Sequence, residues 1–540
     1  MTPESPRDRG QGTRLALAVA IALAPAIAAI WATPWFVTQD GPAHLYNAQI
    51  LAESGHPASP FAPYFAVRWQ PLPNWAGHLL YLGLGAILPP SSAERAAATF
   101  TLVLLAASTA WLRFRVVGGR GVVATAALAA LIGLNVTWLF GFTGFLLGAA
   151  LFPITLGVWW TGRDRLSARR TLALAGLVVL GYFCHPVGLG LTAFAMIALA
   201  SIRPGRPALP RTLVALVPLV PLGLIYRSLT NAGGPMRPEW GHLTDVFSPR
   251  AWIAQLGWVD PISLAAKVHR PFGTLPSTWN GLAAPIVWLS LGLITLAIAT
   301  FRNRDRETDR RGWGLLAAIL LLAGIIGPDT LGASHGHYLP PRIVLLGIVA
   351  LVPWLRLDAP GRLATSGRAC LLIALALQSL FVWDYACESR RTAGRLMASA
   401  DRVGRDRRVA AALLDVRGRF RANPLLHADC LLGVGTGNVI WGDYETTHYY
   451  FPVQLRDPAD SPPAAELEAI TRLEGPANRD RRASRWAAFL DRYASKIDVV
   501  VIWGRDPVIE QITAAHFSRE PNGDDEVQVW TRTGLAGSAR

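Results

Sequence analysis

Apolar runs alternate with short, arginine-rich polar segments through residues 1–384, and charged, mixed sequence takes over beyond them. Crossing a bilayer takes about 20 apolar residues, and the run at 15–33 has that length. Further runs at 92–112, 121–139, 143–160, 171–184, 187–202, 212–227, 280–301, 312–327, 343–355 and 369–384 bring the expected spans to about eleven. Residues 75–88 make only 14 residues before Pro89-Pro90, which predicts an interfacial helix, not a span. The arginine clusters at 113–120, 163–170, 203–211, 302–311 and 356–368 then share one side, which the positive-inside tendency makes cytoplasmic. The N-terminus is expected inside, with large external loops at 34–91 and 228–279. A cleaved signal peptide is the rival reading of the first run, but its length favours retention.

Residues 385–540 are expected to form a soluble extracytoplasmic α/β or α+β domain following a transmembrane domain at 1–384. Strand-like runs lie at 497–503 and 526–531, and helices are expected around 404–418 and 463–493. The stretch GVGTGN (433–438) lacks the full spacing of a phosphate loop and reads as a turn.

Composition agrees with the pattern: 540 residues, 52% hydrophobic and 16% charged, describe an α-helical polytopic membrane protein. A net charge of +15 suggests nucleic acid in a soluble chain; here the arginines sit between apolar runs, where they set orientation, so no nucleic acid partner is expected. Cys184, Cys370, Cys387 and Cys430 show no CxxC spacing. Cys387 and Cys430, both expected outside, form the pair that an oxidising compartment would allow to bond.

Candidate chemistry begins at Thr38–Leu51, where ionisable groups appear just as the chain leaves the first span, a costly place unless they are used. Gly41-Pro42 predicts a helix start capped by Asp40, with Asp40, His44 and Asn47 on one face at i, i+4 and i+7. The competing reading makes Asp40 only a cap and His44 only an interfacial histidine. His78, His185, His335, His337, Tyr338 and Arg342 are expected on the same external side. Arg342, at the outer mouth of a span, reads either as a clamp for a phosphate or as a snorkelling residue. Trp240, Trp252, Trp258 and Trp279 read as interfacial anchors or as faces for sugar stacking.

The N-terminal span, the Asp40…His44 start of the first loop, the half-helix segment PLPNWAGHLLYLGLGAIL and Glu94-Arg95 opening the next span together resemble the GT-C class of membrane glycosyltransferases. The resemblance covers about residues 1–200 and, more weakly, the loop at 328–342. It implies a polyprenyl-phosphate-linked sugar donor held between spans near the outer face of a bacterial inner membrane, and a glycan, lipid or protein acceptor. By it Asp40 is the catalytic carboxylate and Arg342 a candidate for the lipid phosphate; from the residues themselves, His44 joins Asp40 as a catalytic candidate, and His185, His335, His337, Tyr338, Asn47 and His78 are candidates for substrate contact. Several such families carry two adjacent acidic residues where this chain has Asp40-Gly41, so no cofactor is certain and a divalent metal stays open. A transporter of a lipid or glycan and a non-catalytic membrane assembly protein are the alternatives. The former would call for paired broken helices that the sequence does not repeat, and the latter would not need Asp40.

Overall fold

The computed structural model describes residues 6–202, 208–230, 236–240, 248, 256–266, 282–302, 308–332, 336–416, 418–521 and 526–533. The chain opens with α1 (Pro6–Trp31), the short α2 (Gly41–Glu53) and α3 (Trp75–Gly85), and α4 (Pro90–Val117). Then come α5 (Val122–Gly133), α6 (Val136–Leu139), α7 (Thr143–Trp160), α8 (Ala168–Cys184), α9 (Pro186–Ser201), α10 (Ala208–Ala215) and α11 (Leu219–Thr230). The bundle is completed by α12 (Pro285–Arg302), α13 (Thr308–Ile326), α14 (Leu339–Leu351) and α15 (Arg362–Met397).

Among the described residues, 5 helices are long and apolar enough to cross a membrane, or 6 if a bent pair counts as one. That pair is α10 and α11, which meet at 47°. The break has a local cause, because Pro218 between them has no N–H to continue a helical ladder. α5, α9 and α14 are apolar but shorter. α3 has 11 residues, about 16 Å of helix against a hydrocarbon core of about 30 Å, so it cannot cross alone. The architecture is that of a helical membrane protein, whose core gathers α4 against α1, α5 and α7, α12 against α15, and α13 against α14.

The strands are β1 (Phe65–Val67), β2 (Arg408–Leu413), β3 (Val439–Ile440), β4 (Val453–Leu455), β5 (Val499–Trp503), β6 (Phe517–Arg519) and β7 (Val527–Arg532). Five of them form a sheet in the order β3-β2-β5-β7-β6. β2 runs parallel to β3 and β5, while β7 is antiparallel to β5 and β6. Helices α16 (Ala464–Arg472), α17 (Arg479–Tyr493) and α18 (Pro507–Ala514) accompany the sheet. The strands expected at 497–503 and 526–531 and the helices within 463–493 are therefore present. The helix expected around 404–418 is not: Arg408–Leu413 is a strand, with Val409–Leu413 fully buried. Its alanines favour a helix locally, but a fully enclosed parallel strand loses the alternation that would have marked it.

β1 pairs antiparallel with β4, Phe65 opposite Leu455 and Val67 opposite Val453, which sews the loop after α1 to the C-terminal part of the chain. α15 runs unbroken through residue 384 into that part. The cysteine pairing expected for Cys387 and Cys430 is absent: both are free thiols, Cys387 exposed and Cys430 buried in the core beside the sheet.

Candidate active site

The residues leading into α2 are held by backbone bonds to the turn after α6. Gln39 and Asp40 donate their N–H groups to the Leu139 and Phe140 carbonyls, each at 3.0 Å. Gly141 has φ +75°, and a Cβ there would sit 2.6 Å from the Thr38 hydroxyl, so the turn requires glycine. On the other side Glu94 fixes the approach by accepting from the Thr38 N–H at 3.0 Å, the Thr38 hydroxyl at 2.7 Å and the Tyr81 hydroxyl at 2.7 Å. Gly41 presses so closely on the Glu94 carboxylate that a Cβ would collide with it. Arg95 turns away from Glu94 and lies over the Trp31 ring at 4.6 Å.

Asp40 does not cap α2, contrary to expectation; its side chain makes no capping bond. The carboxylate instead accepts from Gln39 Nε2 at 3.4 Å and lies 3.7 Å from His427 Nε2. Burial pushes the Asp40 carboxyl up to about 7, with the charge of His44 pulling the other way. A carboxylate so poised suits proton acceptance near neutral pH. Burial lowers the His427 imidazole to about 4, and its ring stacks on Tyr444 at 4.3 Å between centroids.

One turn into α2, His44 meets Glu445, from the turn Tyr444–Thr447, through its Nδ1. His78, on α3, reaches the other oxygen of Glu445 with Nε2 at 2.7 Å. Burial alone would lower the His44 imidazole, but the Glu445 carboxylate beside it lifts it above its ordinary value. Asn47 corrects the expectation of one polar face: it is 0% exposed and points away from the cavity described next. Its amide donates to the Ala43 carbonyl at 2.9 Å and to the Asp443 carboxylate at 2.9 and 3.0 Å. The i, i+4, i+7 spacing could not show what each residue meets, because the C-terminal part encloses most of the helix.

A cavity of about 720 Å³ is lined by Asp40, His44, His78, His185, His337, Tyr338 and Arg342. His335 lies outside the described residues. Arg342 is 8% exposed, 3.0 Å from His185 Nε2 through Nη1, with its guanidinium 4.6 Å over the Phe142 ring. It has no carboxylate partner among the described residues, and its Nε is buried without a hydrogen bond. His185 Nδ1 accepts from the Val187 N–H at 3.2 Å, capping α9. Tyr338 takes φ +58°, a left-handed conformation rare outside glycine, and turns its ring toward Phe142 and Trp258 at 5.6 and 5.3 Å. Trp258 lines the cavity, Trp240 bonds the Ile326 carbonyl at 3.2 Å, and Trp252 and Trp279 lie outside the described residues.

Sequence reading missed the C-terminal contribution: His427, Tyr444, His448 and Tyr450 line the same cavity, and Glu445 stands behind its wall. The signal was present in DYETTHYYF (443–451), which packs two acids, a histidine and three tyrosines into nine residues. Such density of polar aromatics and charge is unusual for a solvated loop.

No family model matches the sequence, and no curated protein matches it. Solved structures do share the fold. The crystal structure of ArnT from Cupriavidus metallidurans in the apo state matches with TM-score 0.52 and 14% identity, covering 97% of this chain and 98% of that one. The same protein bound to undecaprenyl phosphate matches with TM-score 0.50 and 13% identity over 97% of this chain and 99% of that one. This end-to-end likeness shows that the chain has a GT-C class fold.

Proposed function

We propose that this protein transfers a glycosyl group from a polyprenyl-phosphate-linked sugar to an acceptor hydroxyl at the extracytoplasmic face of the membrane. The observation that carries this reading is the pairing, in one cavity, of a buried carboxylate with a buried guanidinium that lacks a carboxylate partner among the described residues. A buried charge without a counter-ion costs several kcal/mol, and a phosphate entering the cavity offsets that cost at Arg342. The fold it shares with ArnT, seen bound to undecaprenyl phosphate, fits a lipid-linked donor.

In this mechanism the acceptor oxygen attacks the anomeric carbon, the bond from that carbon to the phosphate oxygen breaks, and Asp40 takes the acceptor proton. The prenyl phosphate leaves with its new negative charge against Arg342. Tyr338 and Trp258 supply aromatic faces for the sugar.

The test is Asp40→Asn, assayed for single-turnover transfer from lipid-linked sugar beside a thermal melt in detergent. Loss of a positioned general base costs about 10²–10⁴ in rate. The melt should not move, because Asp40 makes no capping bond. Near-normal transfer by a stable variant would overturn the assignment.

A further inference from the structure

His44, His78 and Glu445 come from three separate elements, yet each brings one ligating atom within 4.8 Å of the others. The outer nitrogens of both rings are already committed. His44 Nε2 lies 3.1 Å from the Gly141 carbonyl, and His78 Nδ1 lies 3.3 Å from the Asn74 carbonyl. A carbonyl only accepts, so with a hydrogen on each of these outer nitrogens the inner nitrogen of each ring is left to act as a ligand. The inner nitrogens, His44 Nδ1 and His78 Nε2, both face Glu445 oxygens. Protons shared with Glu445 satisfy them, and so does a single cation held by all three groups. Glu445 is 0% exposed and His78 1%, so the cluster is shielded from water.

An imidazole that gives its second N–H to a backbone carbonyl is the usual outer support of a metal-bound histidine, and both rings have that support. Two imidazoles and a carboxylate suit zinc or a similar divalent ion and leave one tetrahedral position open. Bonds of about 2.1 Å place such ligands about 3.4 Å apart, so His78 and Glu445, at 2.7 Å, need to open only slightly to admit the ion. His44 and His78 line the cavity, so an ion held between them is within reach of a ligand there.

We propose that His44, His78 and Glu445 bind one zinc-class divalent cation, whose fourth position takes an oxygen of the phosphate donor. The phosphate half of this proposal rests on the transfer reading; the metal site does not. The carboxylate missing beside Asp40, where Gly41 stands, is then replaced by two histidines and by a glutamate some 400 positions further along the chain.

The experiment uses full-length protein in detergent, stripped with a chelator, dialysed against micromolar Zn²⁺ and analysed for metal by mass spectrometry. Native protein should hold about one zinc per chain, and His78→Gln and Glu445→Gln should weaken binding at least about 10-fold. Replacement of zinc by Co²⁺ should give the visible absorption of a four-coordinate site, which changes when undecaprenyl phosphate is added. Zinc-free native protein that stays monodisperse overturns the metal site, whatever the variants do. So does equal binding by native protein and the folded variants. An unchanged cobalt spectrum with the lipid overturns the phosphate as fourth ligand. All these readouts need no turnover, so a zinc-binding protein that fails to transfer sugar counts against the proposed function alone.

Discussion

At the scale of single residues, Arg342 separates a phosphate clamp from a snorkelling side chain. A snorkelling arginine ends in water, whereas this one is enclosed by Phe142, Phe145 and His185 with its Nε unbonded. Arg342→Ala should therefore weaken undecaprenyl phosphate binding by about 2–5 kcal/mol, while Arg342→Lys keeps the charge but loses the planar fork and recovers only part of it. Equilibrium binding of the radiolabelled lipid to detergent-purified variants measures both, and unchanged affinity in the alanine variant returns Arg342 to packing. This residue was legible in the sequence because it stood at the outer mouth of an expected span, apart from the arginine clusters between spans. Asp40 and His44 were legible as ionisable groups just past the first apolar run, and His78, His185 and Tyr338 through the loops expected on one side of the membrane. Glu445 and His427 were not: no spacing rule reaches from residue 44 to residue 445, and only the folded chain brings them together.

At the scale of elements, α2 joins the membrane part to the C-terminal part. Tyr46 donates its hydroxyl to the Asn438 carbonyl at 2.9 Å and accepts from the Ile440 N–H at 3.0 Å, so its ring fastens the helix to β3. Asn47 fastens the next turn to Asp443. Replacing Asn47 by Ala leaves the Asp443 carboxylate buried without that amide, a loss of about 1–3 kcal/mol that a thermal melt in detergent should show. Asn47→Ala should also reduce transfer less than Asp40→Asn does, since Asn47 does not line the cavity. A larger loss of transfer than of stability would return Asn47 to the substrate-contacting set in which its spacing placed it. The same logic explains β2. Local propensity sees RVAAALL as helix, and only the strands on both sides of it, invisible to a window of that length, make it a strand.

At the scale of the whole molecule, the β1–β4 pairing constrains how the chain crosses the membrane. Residues 65–67 and 453–455 are hydrogen-bonded partners, so they must lie on the same side of the bilayer, and an even number of crossings must separate them. The runs expected after residue 91 make an even number, provided that 75–88 does not cross; counting it would make the total odd and tear β1 from β4. The 11 residues of α3 agree with that exclusion. The side expected from arginine placement is extracytoplasmic, since the clusters at 113–120 and 163–170 are each reached from the first loop by an odd number of expected crossings. Reporter fusions at Gly162 and Ala400 should therefore give opposite signals, cytoplasmic for Gly162 and extracytoplasmic for Ala400. A third fusion at Gly55, in the first loop, should match Ala400. Opposite signals from Gly55 and Ala400 would make the β1–β4 pair and the His44–Glu445 contact impossible in one chain, and with them the cavity on which the proposed transfer depends.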